Sequence, residues 1–286
     1  MATLGRVAEI WRYPVKSMRG ESLENVNFGI GGITGDRGWA IRDEKSGEIR
    51  GAKKFPKLMQ CEARYAQEPQ FNEDTGAQIS LPNGERFSTL DDKANTLLSK
   101  FLDAEVSLHG HRPASDLEHY KRQEALDEQS LRDLLSRNSD EPLPDLSTFP
   151  PDVLQEISEY TSPRGTYFDA FPVHILTTSW LKTLASKNPD SQFAPARFRP
   201  NLLIDGAADG YPENDWCGKT IRIGDAALEC VLPTVRCGMT THATGELPKD
   251  TQVLRTIVKN SEQNVGAYAN VVQAGEIKIG DSVELL

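Results

Sequence analysis

The chain has 286 residues, of which 32 are Lys or Arg and 42 are Asp or Glu, so its formal net charge at pH 7 is -10. This acidity argues against a nucleic-acid binder and against an anionic membrane surface as partner, because both require a basic face. A small anionic ligand is compatible with it where the few basic residues are concentrated.

The amino-terminal stretch MATLGRVAEIWRYPVKS lacks the apolar core and the cleavage site of a signal peptide. No run of about 18 apolar residues occurs, so we expect no transmembrane helix. The cysteines show no CxxC and no zinc-ribbon or ferredoxin spacing. We therefore expect free thiols in a cytoplasmic protein, with a Cys230–Cys237 disulfide as a minor alternative.

The first hundred residues read mainly as β-structure. Alternating or nearly alternating apolar residues, bounded by Gly or Pro, predict strands over 5–15, 21–30 and 37–43. A Pro-Asn-Gly turn predicts a hairpin over 77–90.

One helix is predicted to follow this hairpin. Its segment, 90–103, has an apolar face, and Asp91 or Asp92 is the expected cap.

Residues 110–165 are charged, contain several prolines and have weak periodicity. We interpret them as an insertion with at most two short helices. A lid, a mobile loop or a divider between two halves are the alternatives, and a solvated insertion is the simplest interpretation.

The ordered pattern returns near residue 170. Further strands are predicted at 171–178, 198–206, 219–233 and 266–286. Helices are predicted over 178–187, with Thr178 or Ser179 as cap, and over 249–260. Many short strands with several helices indicate a mainly β, α+β protein built on a barrel or a sandwich.

Basic residues recur in loops beside glycine, proline or serine. Those that could converge into a cationic pocket are Lys16 (next to Ser17), Arg37, Lys53, Lys54, Arg197, Arg199 and Arg236. Arg197 and Arg199 would share one face of an extended segment. Such a pocket suits a phosphate or an anionic heterocycle. The alternatives are ordinary loop lysines, a local Asp36–Arg37 ion pair and edge-strand charges.

Cys237 follows Arg236 and precedes small, hydroxyl-bearing residues. It could be a buried structural thiol, a nucleophile or a metal ligand. The neighbouring cation favours the thiolate, the form that attacks electrophiles or binds soft metals. His242 or His174 could serve as a base, and the pairing with His242 is weak because it lies only five residues from Cys237. A zinc site has little support, with only His109 and His111 close together.

Acidic residues crowd the stretch LLIDGAADGYPENDW, namely Asp205, Asp209, Glu213 and Asp215. Two of these carboxylates could serve proton transfer. A solvated turn rich in Asp and Gly would have the same composition, so the spacing alone leaves both interpretations open.

Five motifs, in order along the chain, resemble the MOSC family with its N-terminal β-barrel partner, and in particular the amidoxime-reducing branch. They are YPVKS near the start, GxxGDRxW at 32–39, FRPN at 198–201, PTVRCxxTT at 233–241 and the terminal IKIGDSVELL. The resemblance implies a MOSC-type β-barrel packed against an N-terminal β-rich domain. It divides the chain into 1–109, a 110–165 insertion and a barrel domain over 166–286.

The resemblance also implies a molybdenum cofactor between the two halves. Cys237 would supply a thiolate to molybdenum, and Asp209 would be the acid near the metal. The remaining cofactor contacts would fall on Lys16, Ser17, Arg37, Thr177, Arg199, Asn201 and Arg236.

The activity implied is the reduction of N-hydroxylated compounds, such as amidoximes or hydroxylamines, by oxygen-atom abstraction. The four cysteines cannot build an iron–sulfur site. Electrons would come from a separate donor of ferredoxin, flavoprotein or cytochrome type. The alternative is a sulfur-transfer or cofactor-carrier module that uses a persulfide on Cys237.

Overall fold

The computed structural model describes residues 3–70, 75–124 and 126–286. Its strands are β1 (Thr3–Arg12), β2 (Glu21–Leu23), β3 (Asn25–Gly29), β4 (Gly32–Ile33), β5 (Trp39–Asp43), β6 (Glu48–Arg50), β7 (Glu62–Tyr65), β8 (Ala77–Ser80), β9 (Arg86–Ser88), β10 (Val106–Gly110), β11 (Val173–Thr177), β12 (Leu202–Asp205), β13 (Lys219–Ile223), β14 (Ala226–Val235), β15 (Asn264–Gln273), β16 (Gly275–Lys278) and β17 (Ser282–Leu285).

Its helices are α1 (Ala94–Leu102), α2 (Leu117–Tyr120), α3 (Glu128–Leu135), α4 (Pro151–Glu159), α5 (Thr178–Lys187), α6 (Pro195–Phe198) and α7 (Gln252–Asn260). Short 3-10 helices cover Pro56–Gln60, Pro212–Trp216 and Gly238–Thr241. In the described parts of the chain, no helix has both the length and the apolar character needed to cross a membrane.

The main sheet closes into a barrel. Its order is β12, β11, β15, β14, β13, β17, β1 and β2, and an additional β1–β12 pairing joins the first strand to the seventh. Ile10 pairs with Leu202 on one side of β1, and Gly5 pairs with Val283 on the other. The predicted barrel is confirmed, and the amino-terminal strand β1 is part of it.

Inward-facing aliphatic side chains fill the barrel. Its core includes Ile10, Ile175, Leu202, Ile221 and Val283. The side chains alternate between the two faces along each strand, so each strand presents one apolar face to this interior.

The rest of the amino-terminal half is built on smaller sheets. These are β10-β5-β6, β16-β3-β4 and β7-β8-β9. Leu58, Ile79 and Leu98 form part of a second apolar core that α1 covers. The β-rich partner expected from the sequence is therefore present.

The predicted capping of the first helix is wrong. Helix α1 begins at Ala94, its N-cap is Lys93, and no side chain caps it. Asp91 instead belongs to a turn, in which its backbone N–H donates to Ser88 O at 3.0 Å. Neither Asp91 nor Asp92 occupies the cap position, because this turn delays the helix.

The predicted strand over 198–206 is wrong in its first half. Helix α6 ends at Phe198, Arg199 adopts a left-handed conformation with φ of 55°, and β12 begins only at Leu202. The proline at the first turn of α6 suits a helix start. Arg197 and Arg199 consequently do not share a face of an extended segment. Arg197 is buried and donates to Pro248 O at 2.8 Å.

The insertion contains more regular structure than expected. Three helices, α2, α3 and α4, lie in its described part, where at most two were predicted. Tyr120, Leu135 and Phe149 are buried. The segment is therefore packed onto the rest of the protein at several points.

Candidate functional site

Four cations predicted from the sequence come together against β11, β14 and β15. We call Lys16, Arg37, Arg199 and Arg236 the cationic cluster. The guanidinium groups of Arg37 and Arg199 lie 4.8 Å and 4.2 Å from the centroid of the Tyr13 ring. The charge of Arg37 acts on Lys16, and the charges of Arg37 and Arg236 both act on the same histidine, on β11. The loops after β1 and β14, the turn before β5 and the end of α6 supply the four side chains.

Three predicted binding residues have left-handed backbone conformations. The φ angles are 69° for Ser17, 49° for Arg37 and 55° for Arg199. A conformation of this kind costs a non-glycine residue on the order of 1 kcal/mol, so the surrounding structure must hold it. At Ser17 the hydroxyl oxygen accepts a hydrogen bond from Ala52 N at 2.9 Å. The backbone is thus shaped to direct these side chains.

Asn201 and Asp36 form a buried hydrogen-bonded pair beneath the cationic cluster. Asn201 Nδ2 donates to Asp36 Oδ2 at 3.0 Å, and Asn201 Oδ1 accepts from His174 N at 3.1 Å. Asp36 Oδ1 accepts from Tyr13 N at 2.7 Å, and Asp36 also pairs with Arg37. Asn201 therefore ties β11 to the turn that carries Arg37.

An acid that the sequence analysis missed faces Lys16. Lys16 Nζ lies 2.7 Å from Asp169 Oδ1 and donates to Tyr167 O at 2.8 Å. Burial lowers the pKa of Lys16, and Asp169 partly offsets this. Desolvation opposes the ionised form of Asp169, although 70% of its side chain is exposed. The charge and hydrogen bond of Lys16, with the charges of Arg37 and Lys53, prevail and hold its pKa below the ordinary value. Asp169 is accordingly an ionised counter-ion.

The position of Asp169 carried only a weak signal in the sequence. It stands four residues before the buried strand β11, in the stretch FDAFPV. An acid placed just ahead of a strand is common in loops, so only the Lys16 contact distinguishes it.

Cys237 lies at the edge of the cationic cluster and is partly exposed. Its carbonyl oxygen accepts from Thr240 N at 3.2 Å and from Thr240 Oγ1 at 3.1 Å, which anchors the start of a 3-10 helix. The adjacent Arg236 donates through Nη2 to Phe198 O at 2.8 Å. Arg236 Nε is buried and has no hydrogen-bond partner. All four cysteines carry free thiols, as expected.

Tyr268, on β15, is a second residue that the sequence analysis missed. Burial raises the pKa of its hydroxyl, and the charges of Asp169, Arg236 and Cys237 act on it. Its ring lies 6.1 Å from the ring of His174. The Tyr268 hydroxyl therefore keeps its proton beside Cys237.

His174 is not arranged as a base for Cys237. Burial, assisted by the charge of Arg236, lowers its pKa to about 3. Its Nε2 lies 3.1 Å from Val265 O, an acceptor to which the neutral ring donates. The imidazole links two strands.

Thr177 lies apart from the cationic cluster. Residues alternate between the two faces of β11, so Thr177 shares the inner face with Ile175 while His174 points to the cluster. Thr177 N and Oγ1 donate to Glu213 at 2.5 Å and 3.0 Å. Thr177 is also the N-cap of α5, since its Oγ1 accepts from Trp180 N, so neither predicted cap residue holds that position.

Asp209 is exposed, in the loop that follows β12. Strand β12 leads from Asn201, beside the cationic cluster, to Asp205. Asp209 lies four residues beyond that distant end of the strand. No contact places it near Cys237.

A cavity of about 690 Å³ borders the cationic cluster through Tyr13 and Arg199. Charges on its walls are compensated locally, because Arg19 and Arg64 both pair with Glu62. It therefore lacks the excess of positive charge that marks the cationic cluster.

The described part of the chain contains no group of three or more His, Cys, Asp or Glu side chains arranged to hold a metal ion. A single thiol beside several cations suits a different arrangement. It fits a metal that arrives with its own anionic organic donors, with the protein adding one soft ligand.

The fold and the sequence define the class of protein. The MOSC domain family matches residues 162–284, and the MOSC N-terminal beta barrel domain family matches residues 4–112. The chain is a MOSC-domain protein with the N-terminal MOSC domain, as its motifs predicted.

Curated relatives match nearly the whole chain. Mitochondrial amidoxime reducing component 2 of Bos taurus is 25% identical over 299 residues, which span 98% of this chain and 83% of the relative. Mitochondrial amidoxime-reducing component 1 of Homo sapiens is 26% identical over 313 residues, or 99% and 83% of the two chains. Among solved structures, the YUAD protein from Bacillus subtilis matches with a TM-score of 0.46 and 12% identity, over 98% of this chain and 94% of that one.

Proposed function

We propose that this protein is a molybdenum-cofactor-dependent oxidoreductase that reduces N-hydroxylated substrates. The observation that carries the proposal is the partly exposed thiol of Cys237 at the edge of a cationic cluster. The relatives named as amidoxime-reducing components support the reaction class, at about 25% identity.

The residues present fit such a cofactor. The thiolate of Cys237 would be the protein's ligand to molybdenum, and the cationic cluster with Ser17 would hold the phosphate and pterin. Arg236 Nε, buried without a partner, is a donor in need of an acceptor. Asn201 would act indirectly, by fixing Asp36. Thr177 and Asp209 would have no role in holding the cofactor.

The bound cofactor would supply the oxygen-atom and electron-transfer chemistry. The protein's own groups would then handle charge and protons. Tyr268 keeps its proton and could donate it to the oxygen leaving the substrate. Asp169, held ionised, would orient Lys16 rather than act as an acid.

Turnover also needs a source of electrons. We propose a separate donor protein, because the described residues contain no group of Cys or His side chains close enough together to hold an iron–sulfur cluster. The net charge of -10 would favour a donor with a basic docking face.

The first test is elemental analysis of protein purified from a host that makes the cofactor. Near-stoichiometric molybdenum is expected in the wild type, with loss or an altered visible spectrum in Cys237→Ala. Cys217→Ala, the other partly exposed cysteine, is the matched control and should keep its metal. Well-folded wild-type protein without molybdenum would refute the reductase.

The partial exposure of Cys237 also favours a second candidate, a sulfur carrier with a persulfide on this thiol. Mass spectrometry of metal-free protein would detect the added sulfur. The reductase predicts turnover with an artificial electron donor, whereas the carrier predicts none.

A further inference from the structure

The insertion reaches the segment that carries Cys237. Ser136, which ends α3 in a left-handed conformation, lies against Gly238, and a side chain at Gly238 would collide with the Ser136 hydroxyl. Glycine directly after Cys237 thus makes room for the insertion. We call residues 135–141 the covering segment.

A buried amide holds the covering segment to the strand that leads to Cys237. Gln263 is fully buried, and its Nε2 donates to Leu135 O at 2.8 Å and to Arg236 O at 2.7 Å. The backbone carbonyl oxygen of Gln263 accepts from Arg236 N at 2.8 Å. One side chain therefore fixes the distance between the end of α3 and the residue before Cys237.

An ion pair closes the covering segment onto α7. Arg255 Nη1 lies 2.6 Å and 2.5 Å from the two carboxylate oxygens of Glu141, and Arg255 Nη2 donates to Ser136 O at 2.5 Å. Both charged side chains are largely shielded, with exposures of 27% and 20%. Burial opposes the ionised form of Glu141, but its hydrogen bonds and Arg255 prevail and lower its pKa. The pair is charged at neutral pH.

The other end of the insertion is apolar and packs beside Tyr268. The rings of Phe149 and Phe171 are 6.4 Å apart, and those of Phe171 and Tyr268 are 5.3 Å apart. The insertion therefore meets the site through an apolar contact on one side and through an ion pair on the other.

We propose that the covering segment is a size filter over the Cys237 thiol, held closed by the Arg255–Glu141 pair. Small molecules reach the sulfur in the closed state, whereas bulky ones reach it only after the covering segment opens. The identity of the ligand rests on the proposed function. With that function, the filter selects compact N-hydroxylated substrates.

Thiol labelling of the full chain, purified without cofactor, tests the filter. Two neutral reagents with the same reactive group are compared, N-ethylmaleimide and a maleimide carrying a long polyethylene glycol, with each cysteine read separately by peptide mass spectrometry. In Glu141→Gln the bulky reagent should react with Cys237 about tenfold faster, because the closed state loses a shielded ion pair. Labelling by N-ethylmaleimide should change by less than about twofold.

Two controls accompany this variant. Cys217 is an internal control, since its labelling should not respond. Glu156→Gln removes a comparable two-oxygen pair with Arg164 elsewhere in the insertion and should leave Cys237 labelling unchanged.

Wild-type protein supplies a test that needs no variant to fold. Raising the ionic strength screens a partly shielded ion pair only in part, so it should accelerate the bulky reagent at Cys237 alone, and by less than Glu141→Gln does. Equal rates for both reagents in the wild type, unchanged by salt and by Glu141→Gln, would overturn the filter. Because labelling requires no metal, the filter can stand if molybdenum is absent, and can fail if molybdenum is present.

Discussion

At the scale of single residues, the candidate site depends on backbone conformations that the residue types alone do not predict. Ser17, Arg37 and Arg199 all occupy the left-handed region, which glycine would fill more easily. Each of these side chains makes a contact that glycine could not make: Ser17 with Ala52 N, Arg37 with Asp36, and Arg199 with Met18 O. The guanidinium groups of Arg37 and Arg199 both contact the Tyr13 ring, and these cation–π contacts partly offset the repulsion between the two charges.

The first residue-scale prediction concerns Tyr268. Replacing it by Phe keeps the ring contacts with Phe171 and His174 and removes only the hydroxyl. We expect kcat to fall about a hundredfold, the usual contribution of a positioned proton donor. Molybdenum content should stay unchanged. Phe171→Leu, which alters packing but no proton, serves as the control, and a Tyr268→Phe enzyme with full activity would disprove the role.

The second residue-scale prediction concerns Glu213. Burial raises its pKa to about 7, against 4.5 ordinarily. The unfolded chain releases this proton near pH 4.5, and the folded chain releases it only near pH 7. The free energy of unfolding should therefore fall as the pH rises from 4.5 to 7. The full effect is on the order of 3 kcal/mol.

Urea unfolding at pH 5 and pH 8 measures this effect. Glu213→Gln should lose less stability than the wild type over that interval, because it has no proton to release. Asp215→Asn, an exposed acid in the same turn, should follow the wild type. Parallel losses in wild type and Glu213→Gln would contradict the assignment.

At the scale of elements, β1 has two roles. It pairs with β12 and β17 to close the barrel, and the loop that follows it delivers Lys16 and Ser17 to the site. Stability and site geometry are therefore coupled through one strand. Helix α6 likewise couples packing to the site, because its C-terminal end positions Arg199 in the cationic cluster.

The element-scale prediction tests the closure of the barrel. Ile10 is fully buried, whereas Ile30 is 65% exposed. Ile10→Ala should reduce the free energy of unfolding by about 3 kcal/mol, from lost burial and the cavity left behind. Ile30→Ala should change it by less than about 0.5 kcal/mol. Equal effects in chemical unfolding would mean that β1 contributes little to the core.

At the scale of the whole molecule, the two halves share one barrel and one site. The family boundaries place the MOSC domain at 162–284, yet a strand of its barrel comes from Thr3–Arg12. The cationic cluster likewise draws Lys16 and Arg37 from one half and Arg199 and Arg236 from the other. Neither half contains the site alone.

The whole-molecule prediction follows from the missing strand. A fragment of residues 166–286 lacks β1 and would expose the edges of β12 and β17. We expect it to show no cooperative thermal unfolding by circular dichroism, unlike the full chain. Cooperative unfolding of the fragment by itself would show that β1 is dispensable.

The sequence by itself determined the class of fold and the family, and it identified the basic residues whose chemistry suits an anionic ligand. Alternating apolar residues specify strands locally. Motifs such as VKS, GDR and VRC occur in order along the chain, so Lys16, Arg37 and Cys237 could be predicted as site residues. These signals depend on residue type and on near neighbours along the chain.

Only the tertiary structure decided which of these residues share a site. Alternation along β11 turned Thr177 away from the face that His174 shares with the cationic cluster, and the course of β12 carried Asp209 away from it. Asp169 entered the site through a contact across more than 150 positions of the chain. Such contacts depend on how strands are ordered in the barrel, and residue spacing carries no record of that order.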